Sequence, residues 1–420
     1  MHRAISLFPI AVALVACGSK EPAGDGSSAG ADSAAPLGDV TYYEDVQPML
    51  AQHCTRCHQP GGLGPGDFTD PAVVSALAPA MMAAIDDGRM PPAASDPACR
   101  DYVGSDVLTL PQTARDTFST WVESDLPMGE PTDAPEVVAV SDRLADPDVE
   151  IVLPVAYTPA FADASNPGNE YRCFALDSAD VAGRYITAMA PVVDQPALVH
   201  HVVLFTVETD SLGDEYRTDE GWDCIDGQGG SATEGMIAAW APGMLPIEFP
   251  AGVGMEVPDD QTLVMQMHYF DNGPEDEELS DRSGYAFRLT DAVDKGVFMA
   301  PLGSYSFQIP AGEADYADSS SFENTYFPLN VLGIFPHMHQ LGARFEASIE
   351  HTDGTTSCLV SGDYDFDNQM TYQFTEPAAF GVGDRVNFEC TWDNSAGDST
   401  VRYGERTDEE MCFFFTLVTP

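Results

Sequence analysis

The hydrophobic pattern changes character several times along the chain. From Ala4 to Ala16 the residues are almost all apolar. Residues 18–39 are dominated by Gly, Ser, Ala, Asp and Pro and offer nothing to build a core, so they read as a flexible tether. The next segment has helical spacing. Val46, Leu50 and the stretch Cys54–His58 fall on one face. Leu110, Ala114, Phe118, Trp121 and Val122 form a second apolar stripe. Thr109 and Gln112 have the spacing of a capping box ahead of that stripe. Residues 129–148, rich in Pro, Asp, Glu and Val, read as a second linker. Beyond them short apolar runs alternate with Gly, Pro and Asp turns, and long helical patterns are absent. The pattern predicts a multidomain chain: a small all-α domain over residues 40–128, followed by a mainly-β region of β-sandwich or jelly-roll type.

The chain has 420 residues, 17 basic and 68 acidic, for a net charge of −51. Such a balance excludes nucleic acid as a partner, because phosphate neutralisation needs a basic face. It also excludes docking on anionic lipid through a basic patch. The apolar run of 13 residues is shorter than the roughly 20 needed to span a bilayer and suits the core of a signal peptide over residues 1–16. It ends in Leu14-Val15-Ala16-Cys17, which resembles a bacterial lipoprotein box with Cys17 as the lipidated residue. The expectation is an exported lipoprotein of the outer membrane, periplasm or cell surface, touching membrane through its lipid anchor only.

Cys54-Thr55-Arg56-Cys57-His58 is the C-x-x-C-H pattern of c-type haem attachment. Two thiols on one helical turn can each form a thioether to a haem vinyl group, and His58 then lies under the iron. A zinc site would want a second ligand pair, and nearby only the isolated Cys99 is available. Two terminal helices around such a group resemble the cytochrome c fold. Gly88-Arg89-Met90-Pro91-Pro92 resembles its methionine loop, with Met90 as the second axial ligand and Met81 and Met82 as rivals.

Five histidines fall in three β-like runs: His200 and His201 in Val199–Phe205, His268 in Leu263–Phe270, and His337 and His339 in Gly333–His339. A lone histidine on an apolar strand is usually a satisfied core residue. His337 and His339, two apart, share one strand face and can grip one metal. Adjacent His200 and His201 would point apart on a regular strand, and a bulge would let both reach one ion. Imidazoles with a soft thioether suit copper. His351 fits no constellation.

These runs resemble the copper type II, ascorbate-dependent monooxygenases, the group of peptidylglycine α-hydroxylating and dopamine β-monooxygenase, over roughly residues 150–420. The resemblance implies two jelly-roll subdomains, residues 149–295 and 296–420, facing a solvent-filled cleft. It implies one copper on His200, His201 and His268, which stores and passes an electron. A second copper on His337, His339 and Met411 binds O2 and performs the hydrogen abstraction. Met411 lies in Asp408-Glu409-Glu410-Met411-Cys412, which matches the family's Asp-Glu-Met-Cys stretch. Taken alone, Met411 before Phe413-Phe414-Phe415 would read as core. The family's disulfides fall on Cys173–Cys224 and Cys390–Cys412, leaving Cys99 and Cys358 open. In the peptide-hydroxylating relatives an Arg, an Asn and a Tyr hold a substrate carboxylate; here Phe335, Phe413 and Phe415 stand in their places. Tyr171 and Gln266 keep two further family positions at the substrate pocket.

The implied activity is hydroxylation of a C–H bond of a small, apolar or aromatic substrate by O2. Electrons would come through the haem from an external donor, an ascorbate-like reductant or a redox protein. The rival expectation is a non-enzymatic haem–copper electron-transfer or copper-binding lipoprotein.

Overall fold

Helix initiation in the N-terminal part follows from local chemistry. Asp70 accepts from the amide of Ala72, and Pro71 stands at the first position of the helix Pro71–Asp86. The helix Gln112–Glu123 buries Phe118 and Trp121, as the stripe predicts. Its start differs from expectation. Pro111 occupies the cap with no side-chain bond, and Thr109 turns back to donate to the Ser105 carbonyl at 2.6 Å. The proline ring fixes the entry angle, so the expected Thr109–Gln112 box does not form. The computed structural model describes residues 39–60, 62, 64–131, 142–162, 168–224, 235–271, 279–366, 368–404, 406 and 408–420. The expected signal peptide, Cys17, most of the tether and much of the second linker lie outside them.

Val46, Leu50, Val74, Phe118 and Trp121 form a helical core of their own. Its two ends are tied together: Tyr42 and Tyr43 donate to the carbonyls of Pro127 and Met128, and Trp121 Nε1 donates to Pro127. Residues 93–108 leave this core. Tyr102, Val107 and Leu108 bury their side chains in the core of the β region instead. This segment is zipped to the C-terminal half of the chain. Asp96 donates to Ser361, Val103 to Gln373, and Thr375 to Asp101. Arg100 reaches the Cys358 carbonyl and lies 5.0 Å over the Phe374 ring. The Cys99–Cys358 disulfide closes the attachment, which answers the pairing that the sequence leaves open.

The rest is β. A five-stranded sheet has the order Trp222–Asp223, Asn169–Ala175, Gln261–Phe270, Val199–Glu208, Met236–Trp240. A four-stranded sheet is built from Tyr316–Glu323, Arg385–Trp392, Gly342–Glu350 and Thr356–Asp363. Strand faces alternate as a half-buried sheet requires: Phe345, Ala347 and Ile349 are buried, while Glu346 and Glu350 are exposed. A nine-stranded sheet runs through both halves. Lys295–Ser304 is its junction, parallel to Val253–Val257 on one side and antiparallel to Cys412–Thr419 on the other. Cys412–Thr419 is buried throughout, as a central strand covered on both faces must be. The architecture is mainly β, consistent with β-sandwich domains. Cys173–Cys224 and Cys390–Cys412 are bonded as the resemblance implies.

Candidate metal centres

The first centre grows from two neighbouring antiparallel strands, Val199–Glu208 and Gln261–Phe270, with His201 opposite His268. The register slips between Val199 and His201. That irregularity lets adjacent His200 and His201 reach one place. The Nδ1 atom of His268 lies 3.1 Å from His200 Nδ1 and 3.4 Å from His201 Nδ1. One nitrogen from each ring lies within 4.8 Å of the others. His268 Nε2 bonds Asn169 Oδ1 at 2.7 Å, which fixes the ring with Nδ1 turned to the cluster. Tyr171 stacks on His268 with centroids 4.2 Å apart. Burial, then the neighbouring imidazoles, hold His201 and His268 well below the ordinary histidine range. Both are therefore neutral at pH 7, the state in which an imidazole binds a metal.

The second centre sits where the strand Leu329–His337 ends beside Cys412–Thr419, with His337 opposite Phe413. His339 lies just past the strand. Its ring is 5.2 Å from that of His337 and nearly perpendicular to it. His337 Nδ1 donates to Gln369 Oε1 at 2.6 Å and His339 Nδ1 to the Glu409 carbonyl at 3.0 Å. With both Nδ1 protons committed, each ring presents Nε2 as its lone-pair donor. The centres thus use opposite ring nitrogens. Burial lowers the pKa of His337 and takes that of His339 to about 3.

Met411 is buried in an apolar cluster with Phe335, Phe413, Phe415 and Ala239. Phe335 and Phe415 lie 5.9 and 6.4 Å from the His337 ring. Of the five residues expected at the substrate pocket, these three phenylalanines gather beside the second centre. Tyr171 packs on the first centre, and Gln266 turns its amide to Cys224 Sγ at 3.6 Å.

Glu410 is a residue that pattern reading passes over, because it looks like one more member of an acidic run. It is fully buried. Its carboxylate accepts from the amides of His339, Leu341 and Met411 and from Trp392 Nε1. It thereby clamps the His337–His339 turn to Met411. Burial pushes its pKa up to about 7, against those four donors. His351 takes part in no centre; its ring links Asp384 to Ser357, each at 2.8 Å.

In the helical part Cys54 and Cys57 are free thiols, and burial pushes the Cys54 pKa up to about 12. His58 donates from Nδ1 to the Pro65 carbonyl at 2.8 Å and stacks on Phe68 at 4.2 Å. A Cβ on Gly64 would lie 2.5 Å from His58 Nδ1, so only glycine admits the ring there. Met90 is 38% exposed, whereas Met81 and Met82 pack against the helical core.

Comparison with known proteins matches two stretches of the chain. Residues 162–276 match the N-terminal domain, and residues 298–418 the C-terminal domain, of copper type II ascorbate-dependent monooxygenase. The mouse (Mus musculus) DBH-like monooxygenase protein 2 is 25% identical over 248 residues, 53% of this chain and 38% of that protein. The human (Homo sapiens) DBH-like monooxygenase protein 1 is 25% identical over 261 residues, 56% of this chain and 42% of that one. MOXD1 homolog 2 of Drosophila melanogaster is 22% identical over 323 residues, 71% and 40% respectively. The chain spans less than half the length of each of these relatives. The two matched domains together take up more than half of it, and each contains one histidine centre. On that ground the chain belongs to the copper type II ascorbate-dependent monooxygenase family.

Proposed function

We propose that this copper monooxygenase is exported, hydroxylates a C–H bond of a small apolar or aromatic substrate, and receives its electrons through a c-type haem. The observation that carries the substrate class is the apolar cluster of Phe335, Phe413 and Phe415 around Met411. A carboxylate there would meet aromatic walls in place of a bidentate partner, which is costly for a charged group. An apolar group would gain about 25 cal/mol for each Å2 it buries. Per turnover R–H, O2, two electrons and two protons become R–OH and water. Copper, when bound, supplies the one-electron steps and the activation of O2. His200, His201 and His268 would hold one ion through Nδ1; His337 and His339 would hold the other through Nε2, with the Met411 thioether as a weak, soft third ligand. Glu410 keeps that turn and Met411 in register.

Three features support the haem. The thiols of Cys54 and Cys57 are not bonded to each other. The His58 Nδ1 proton is held by a backbone carbonyl, the arrangement of a metal-bound histidine. The buried Arg56 Nε and Nη1 have no partner among the described residues, and they are donors that a haem propionate would engage. The same turn abuts the copper domain: a Cβ on Gly243 would lie 3.5 Å from Arg56 Nη2 and 4.0 Å from Cys57 Sγ. Gly243 follows the strand Met236–Trp240, which pairs with the strand of His200 and His201. A haem attached there would pass single electrons toward the first centre.

The test is O2 uptake by copper- and haem-loaded protein against a substrate panel. Small hydrophobic aromatics are expected to stimulate uptake and yield hydroxylated product. Acyl-glycines are expected neither to turn over nor to inhibit at millimolar levels. Efficient hydroxylation of an acyl-glycine overturns the substrate class, and no substrate-linked uptake overturns the enzyme reading. For the haem, Met90→Ala is expected to abolish a low-spin His/Met spectrum and lower the potential. An unchanged spectrum moves the ligand to Met81 or Met82.

A further inference from the structure

A row of aromatic rings runs from His337 to the protein surface. Phe415, whose ring lies 6.4 Å from that of His337, stacks on Phe413 at 5.6 Å with 16° between the planes. Both phenylalanines are 1% exposed. Phe413 in turn meets Tyr305 edge-on, with 5.2 Å between centroids and 87° between planes. The Tyr305 ring also stands edge-on to Tyr403 at 4.9 Å, and Tyr403 lies 6.2 Å from Phe413. Tyr403 and Phe413 are therefore two walls of a notch, and the phenol ring in it is Tyr305's own. Both walls belong to the segment that carries the thioether. Phe413 is two residues past Met411, and Tyr403 is bridged to Glu410, the residue before it. The strand beneath fixes the Phe413 ring. Its cross-strand neighbours are Gly303 on one side and His337 on the other, and a Cβ on Gly303 would collide with the ring. Tyr305 itself is 61% exposed.

We infer that the notch between Tyr403 and Phe413 is a subsite for an aromatic ring of the substrate, and that Tyr305 is the side chain which that ring displaces. The inference rests on the aromatic substrate class proposed above. The notch already holds one six-membered aromatic ring in the edge-to-face geometry that such rings prefer. A substrate phenyl or phenol makes the same two contacts while Tyr305 turns to solvent. The backbone permits the exchange. Tyr305 lies between Ser304, the last paired residue of its strand, and Gln308, the first of the next, so its ring swings without breaking a strand pairing. A ring seated in the notch abuts Phe413, whose cross-strand neighbour is His337, so it anchors the substrate one side chain away from the second centre. Tyr305 is then a specificity-determining residue. Its own ring competes with the substrate's, and only a group that matches an aromatic ring replaces the contacts that Tyr305 gives up.

The experiment titrates the full chain, with and without Cu(I), with para-fluorophenol and reads binding by fluorine NMR. Tyr305→Ala vacates the notch and is expected to bind the probe about tenfold tighter than wild type, the worth of one well-placed ring pair. A merely structural role for Tyr305 predicts no gain on its removal. Tyr305→Trp keeps the notch filled with a larger ring and is expected to bind the probe more weakly than wild type. Tyr305→Ala/Tyr403→Leu removes one wall and is expected to lose the gain. With copper and O2, the KM of an aromatic substrate is expected to fall in Tyr305→Ala by a similar factor, at the copper content of wild type. Unchanged or weaker probe binding in Tyr305→Ala overturns the proposal, as does a gain that survives Tyr403→Leu. Aromatic product from the substrate panel without that gain overturns this proposal alone. The gain without any aromatic product overturns the proposed substrate class and leaves the notch as a ring-binding site.

Discussion

His339→Ala is expected to retain one copper ion per chain and to lose hydroxylation to background. The His339 ring supplies one of two imidazoles at the second centre, and its Nδ1 and backbone amide are both tied to the Glu409–Glu410 turn. Removing the ring leaves His337 and a thioether, too few and too weak to hold the ion in competition with solvent. The first centre stands on a different sheet, where His200 Nδ1 and His201 Nδ1 both approach His268 Nδ1, so it is expected to keep its metal. Met411→Leu keeps the volume of the apolar cluster and removes only the sulfur; it is expected to weaken activity sharply without unfolding the chain. Copper analysis after dialysis and product formation under O2 check both variants. Two ions retained in His339→Ala would falsify the assignment of the second centre.

The double variant Cys99→Ser/Cys358→Ser is expected to lose about 2–4 kcal/mol of stability. The bond spans a sequence separation of 259, so its absence frees a very long loop in the unfolded chain. The loss should also have a local signature. The amides of Asp96, Val103 and Thr375, which stitch residues 93–103 to the β region, are expected to exchange with solvent much faster, while the amides of Cys412–Thr419 are unaffected. Denaturant midpoints and amide hydrogen exchange measure the two effects. An unchanged midpoint together with unchanged exchange at those three amides would show that the backbone contacts alone hold the segment.

What the sequence disclosed depended on the range of the signal. The pairs His200–His201 and His337–His339 announce themselves by spacing, and the strand geometry carries them to their centres. His268 needs a neighbouring strand, which its apolar run supplied. Met411 could be read only through family resemblance, because the apolar run after it disguises a ligand as core. Glu410 and Gln369 carry no local mark at all. Glu410 is one acid among several, and its role arises from amides that the fold folds over it from residues 339 and 341. Gln369 acts on His337 and His201, which lie 32 and 168 positions away. The segment 93–108 was assigned with its neighbours to one helical domain, since periodicity reports that a face is apolar and not which core receives it.

The strand Lys295–Ser304 bears on how a substrate gets in. Through it the two halves share one hydrogen-bonded ladder, parallel to Val253–Val257 and antiparallel to Cys412–Thr419. Jaw-like opening about this seam would tear several ladder bonds at once, each costing about 1 kcal/mol net and more where water cannot replace them. The molecule is therefore hinged with its leaves already stitched together. Any motion that opens the space around the two histidine centres is therefore expected to leave the Lys295–Ser304 pairings intact and to take place in segments outside this ladder.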